Sequence, residues 1–114
     1  YDLHSIDKGR KGCSKNPGED IEQYKNFLTK DVMKLQEKIL NYTGNNLKIF
    51  TYPFGRYTKE TKQIIKDLGF SVIFSCEERV NIIDKNNSEF LYNLGRFNRP
   101  NGISSEQFFE KVVE

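Results

Sequence analysis

Between Asp20 and Ser75 the spacing of apolar residues changes period three times, and few architectures accept that order. Ile21, Tyr24, Leu28, Val32, Leu35, Ile39 and Tyr42 recur at steps of three and four, which places them on one helical stripe. Glu22, Lys25, Lys30, Lys34 and Lys38 fall on the other face, as on a helix lying outside a core. Asp20 is placed to cap its start and Gly44 its end. "LKIFTY", Leu47 to Tyr52, is short, β-branched and aromatic; it reads as a strand that Pro53 and Gly55 close in a tight turn. Thr58 can cap a second helix, in which Ile64, Ile65 and Leu68 form the buried stripe and Gly69 sits just past the end. "FSVIFS", Phe70 to Ser75, is a nearly continuous apolar run, the pattern of a strand covered on both faces. Helix, strand, helix, strand in this order predicts an α/β fold: βα units, a parallel sheet and helices outside it.

The flanking segments are read more coarsely. "FLYNLGRFN" predicts one more strand around Leu91 to Phe97, and "SSEQ", Ser104 to Gln107, is a capping box that opens a terminal helix with Phe108, Phe109 and Val112 inward. From Leu3 to Gly18 no periodicity of either kind exists, so a long surface loop is expected, and loops of that length are often functional. Cys13 and Cys76 show neither a CxxC nor a Cys-His spacing, which argues against a structural zinc site and a thioredoxin-like motif. They read as free thiols, with a disulfide between them as the alternative.

Composition narrows the function classes. At 114 residues the chain has room for one small domain. Its 18 basic and 16 acidic residues give a net charge of +2 and are spread along the chain, so the electrostatic footprint of a nucleic-acid binder is missing. No apolar run approaches the roughly 18 residues of a membrane span, and no leader opens the sequence, so a soluble chain is expected with any targeting signal outside it.

In parallel α/β architectures ligands gather at the carboxyl ends of the strands, and "DLHS", "TYPFGRY" and "LGRFNRPNG" all fall at such ends. In order along the chain, "YDLHS", "FTYPFGRYT", "LGFSVIFSCEERVN" and "LGRFNRPNGISSEQFF" resemble the carboxyl half of a polysaccharide deacetylase of the NodB homology type, carbohydrate esterase family 4. The resemblance implies part of a distorted (β/α) barrel with parallel strands and outer helices. It implies that residues 1–114 form a partial domain lacking the amino-terminal strands and the motif with the catalytic aspartate. Family members hydrolyse N-acetyl groups of N-acetylglucosamine polymers, or acetyl esters of xylan, so the expected substrate is an acetylated cell-wall or extracellular polysaccharide. The whole protein is expected in the cell envelope or outside the cell.

The same resemblance assigns residues. The family holds a divalent metal ion, expected to be zinc, with one aspartate and two histidines that share a motif reading HTYDLH in this branch. His4 corresponds to the second of those histidines. The first lies just upstream of Tyr1, so the chain is expected to be a piece that starts inside a catalytic motif, with weak metal binding and no turnover by itself. Tyr52, Pro53, Phe54 and Gly55 correspond to a turn that walls the substrate groove, and the backbone N–H of Phe54 to the donor that stabilises the tetrahedral oxyanion. Arg96 is expected to line the pocket, an ion pair on the barrel rim being the alternative. Departures from the family are visible too. Thr51 stands where many members carry an arginine, the Asp-Trp motif has no counterpart in a chain without tryptophan, and no histidine follows His4 to serve as general acid. An uncovered half-barrel would also favour self-association. A second reading is a non-catalytic carbohydrate-binding or scaffold domain that uses Tyr52, Phe54 and Tyr57 as a sugar platform. A flavodoxin-like domain would need a glycine-rich phosphate loop, and none appears.

Overall fold

The computed structural model describes residues 12–113. Helix α1, Ile21–Thr43, begins where Asp20 accepts a hydrogen bond from the Gln23 N–H through its carboxylate, and it ends at Gly44 in the left-handed conformation. Both caps are those the sequence predicts. Strand β1, Ile49–Thr51, is followed by a tight turn over Pro53–Gly55 and by helix α2, Lys59–Asp67, which opens with a reciprocal capping box between Thr58 and Thr61. Strand β2, Val72–Phe74, lies parallel to β1 with Phe50 opposite Ile73. Backbone bonds continue the ladder at both ends, from Ser71 N–H to the Lys48 carbonyl and from Tyr52 N–H to the Phe74 carbonyl. The β1-α2-β2 segment is therefore the βα unit and parallel pairing expected from the alternation.

The register explains the core. Partners in a parallel pair point to the same face, so Phe50 and Ile73 both enter the core, where Tyr24, Leu28 and Val32 of α1 and Ile64 and Ile65 of α2 meet them. Phe50 sits edge-on to Phe70 and Tyr52, with ring centroids 5.4 and 6.0 Å away. The opposite face is thinly covered: Ile49 is 53% exposed and Val72 and Phe74 are half-buried. The expectation that strand 70–75 is buried on both faces is thus corrected, since Val72 and Phe74 are only half-buried while Ile73 is fully buried.

The last third departs further from expectation. Residues 91–97 do not form a strand. Ser88–Tyr92 winds into a 3-10 turn, started by the Asn87 side chain accepting from the Glu89 N–H, and only Leu94 pairs, in parallel, beside Phe74. Leu94 donates to the Ile73 carbonyl and accepts from the Ser75 N–H, which puts β2 between β1 and this single bridge. Lys62 and Lys66 of α2 both pair with Glu89, and the Lys66 ammonium lies 4.2 Å above the Tyr92 ring; these contacts hold the turn where a strand was expected. Helix α3, Ser105–Val112, has the Ser104–Gln107 capping box but buries no residue fully, and Phe109 is 55% exposed. Of the three residues expected to point inward, Phe108 and Val112 are half-buried and Phe109 is exposed, so the expectation is corrected at Phe109. The helix is tethered by the Lys111–Glu78 ion pair and by Arg99 over the Phe108 ring. No helix among the described residues is long and apolar enough to cross a membrane.

Candidate active site

Three segments meet at the carboxyl ends of the parallel strands: the turn after β1, Ser75–Cys76 after β2, and Gly95–Arg96 after the Leu94 bridge. The turn is the most unusual of them. Gly55 N–H donates to the Tyr52 carbonyl at 2.9 Å and Arg56 N–H to the Pro53 carbonyl at 3.1 Å. With Pro53 second and Phe54 at φ 58°, ψ 13°, the first of these bonds closes a turn of type II, whose third position normally takes glycine. Phe54 is the only non-glycine residue with positive φ among those described, and its ring is 71% exposed. A Cβ in this region costs roughly 1–2 kcal/mol. Gly55 is left-handed as well, at φ 66°, and lies so close to Cys76 that an added Cβ would stand 2.8 Å from the Cys76 Cβ.

The Pro53–Phe54 peptide has a defined direction. The Pro53 carbonyl oxygen faces Gly12, whose own added Cβ would approach it to 2.3 Å. No peptide bond here is cis, so the Phe54 N–H, anti to that carbonyl, points to the opposite side.

Arg96 is oriented by its neighbours. Its Nε donates to the Ser75 carbonyl at 2.9 Å and its Nη2 to the Cys76 Sγ at 3.1 Å. Arg96, Cys76 and Asn98 line a shallow cavity of about 170 Å³. No carboxylate among the described residues pairs with Arg96. Cys76 and Asn98 are not among the site residues expected from the sequence. Cys76 was legible there, because the residue after an apolar parallel strand lies at its carboxyl end.

Tyr52 occupies a different place from the one expected of a groove residue. It has no accessible surface; its ring is stacked under Tyr57 at 4.2 Å, so no sugar can lie on it. The Tyr52 hydroxyl is buried with no hydrogen-bond partner among the described residues, and burial, with Cys13, Tyr57 and Tyr24 adding to it, pushes its ionisation well above the ordinary 10.0. The fold requires the neutral phenol. Stability from this group is complete below a pH of about 10, where the unfolded phenol titrates, and falls as pH rises beyond it. Tyr52→Phe is expected to be neutral or stabilising by about 1 kcal/mol at neutral pH, because only an unsatisfied hydroxyl is lost. It should also move alkaline unfolding to higher pH, as melts taken across the alkaline range will show.

Neither cysteine is in a disulfide, Cys13 being buried and Cys76 exposed, so the disulfide alternative is set aside. His4, expected as a metal ligand, lies outside the described residues. Among the described residues no three histidine, cysteine, aspartate or glutamate side chains gather as an ion requires, so these residues alone do not make the family's metal site.

The family model for polysaccharide deacetylases matches residues 20–73, a stretch that contains α1, β1, the Pro53–Phe54 turn, α2 and the start of β2. Residues 20–73 are thus similar in sequence to a polysaccharide deacetylase domain. No curated protein matches the sequence. Among solved structures, the de-N-acetylase from Aggregatibacter actinomycetemcomitans is similar, with a TM-score of 0.65 at 18% identity over 82% of this chain. The chain spans 34% of that protein's length, so the likeness concerns the fold of one portion of it. The family match ends at Ile73, just short of Cys76 and Arg96.

Proposed function

We propose that the chain supplies one side of the active-site groove of a metal-dependent polysaccharide deacetylase built on a (β/α) barrel, with an acetylated glycan as substrate. The observation that carries this reading is Phe54, an aromatic residue held left-handed in the turn at the carboxyl end of β1. A strained backbone of this kind is kept where it serves a site. The thinly covered sheet face at Ile49, Val72 and Phe74 supports the barrel reading, since a barrel interior would use such a face.

In this reading the acetyl group enters beside the turn. Water adds to the acetyl carbon, the carbonyl π pair moves onto oxygen, and the Phe54 N–H donates to that oxyanion. Collapse breaks the C–N bond and releases acetate and the amine; the proton transfers fall to groups elsewhere in the protein. Arg96 and Asn98 line the groove beyond the turn. His4 is the ligand this chain would give to the ion, which would polarise the acetyl carbonyl. A three-ring sugar platform has less support, because Tyr52 lies buried beneath Tyr57.

The test is acetate release by the full-length, metal-loaded protein from N-acetylglucosamine oligomers and from acetylated xylan. Release from the oligomers, abolished by chelation and by His4→Ala, is expected. Phe54→Ala keeps the N–H and should raise KM while leaving kcat within a few-fold. Phe54→Gly should be about 1 kcal/mol more stable than Phe54→Ala, since glycine accepts this φ without a Cβ penalty. A collapse of kcat in a folded Phe54→Ala protein would assign the role to the ring, and failure to deacetylate either polymer would overturn the reading.

A further inference from the structure

We propose that Cys13 is a positioning residue, whose peptide carbonyl ties α1 and α2 to the segment that seats the Pro53–Phe54 peptide. This rests on the deacetylase reading of the turn. Cys13 lies in a stretch that its sequence marks as a polar surface loop, yet Gly12 and Cys13 are buried and Cys13 has no accessible surface. The Cys13 carbonyl oxygen lies within hydrogen-bond distance of two hydroxyls, Tyr24 of α1 at 2.6 Å and Thr61 of α2 at 3.1 Å; the hydroxyls are themselves 2.5 Å apart, so one donates to the carbonyl while the other donates to it or to its neighbour. The Cys13 thiol donates to the Arg56 carbonyl at 3.2 Å, at the far end of the turn. Gly12, at φ 58°, closes against the Pro53 carbonyl oxygen, where any side chain would collide.

These contacts form one chain of cause. The helices fix the Cys13 carbonyl, which fixes Gly12, which in turn sets the direction of the Pro53 carbonyl. Because the peptide is planar, that direction also sets where the Phe54 N–H points. A donor at an oxyanion site is useful only if it is already aimed, so loosening the tie should slow turnover more than it weakens substrate binding.

The experiment measures amide hydrogen exchange and steady-state kinetics on the full-length protein carrying Thr61→Val, Thr61→Ser or Tyr24→Phe. Thr61→Val should speed exchange at the Gly55 and Arg56 amides about tenfold or more relative to the amides of β2, and should lower kcat about tenfold with KM within about twofold. Thr61→Ser keeps the hydroxyl and should restore both. Tyr24→Phe removes one of the two hydroxyls while keeping the ring, and should shift both readouts in the same direction by less; it carries the test if Thr61→Val does not fold. Exchange that rises equally in β2 and the turn, or faster turn exchange with unchanged kcat, would overturn the proposal. If the unmodified protein deacetylates nothing, the exchange arm still decides whether the tie exists, and the functional reading fails on its own.

Discussion

Gly55→Val should lower the melting temperature by roughly 10–25 °C. Two costs combine: a β-branched residue is forced to φ 66°, and its Cβ must displace Cys76, whose own Cβ would be only 2.8 Å away. Backbone strain of about 1–2 kcal/mol and overpacking of similar size sum to about 3 kcal/mol, and each kcal/mol moves a domain of this size by about 4–8 °C. Gly55→Ala should fall between the two, as it shares the φ and the Cβ but not the extra methyl groups. Cys76 also accepts the Arg96 Nη2 hydrogen bond, so a displaced Cys76 should disturb the cavity as well. Thermal melts of the three proteins decide the matter. An unchanged Gly55→Val protein would mean that the turn takes another shape.

Phe50→Ala should cost about 3–5 kcal/mol, a large part of the stability of a small domain. Phe50 is the ring on which the core converges: it is 2% exposed, faces the core with Ile73, and meets Phe70 and Tyr52 edge-on. Removing it leaves a cavity under the base of the Pro53–Phe54 turn. Denaturant unfolding should show the loss as a lower midpoint, while Phe50→Leu, which refills most of the volume, should lose far less.

What the sequence revealed follows how locally each feature is encoded. Asp20 and Gly44 bound α1 because caps depend on residues one turn apart, and the same holds for Thr58 with Thr61 and Ser104 with Gln107. The parallel pairing of β1 and β2 was legible because only an α/β arrangement satisfies that order of periods. The segment around Leu91 to Phe97 misled for the opposite reason. Its aromatic residues favour a strand, yet distant Lys62 and Lys66 draw Glu89 and Tyr92 onto α2. Cys13 gave no signal, since the hydroxyls that hold it lie 11 and 48 residues away. In the site, the strand-end positions of Pro53–Gly55 and Arg96 could be read directly. The burial of Tyr52 could not, because Tyr57 covers it only once the turn has formed.

Helix α1 has a consequence for how the molecule breathes. Its 23 residues extend about 35 Å, but its buried residues, Tyr24, Leu28, Asp31 and Val32, all belong to the first half. Beyond them Met33, Leu40 and Tyr42 are 54, 44 and 88% exposed. A helical stretch of this length with little packing is marginal in water. The second half of α1 is packed more lightly, with Leu35 and Ile39 half-buried and Gln36 Nε2 donating to the Leu68 carbonyl at 3.5 Å, so its amides are expected to exchange faster than those of the first half. One continuous helix thus contains two levels of protection, and the better protected half is the one that carries Tyr24.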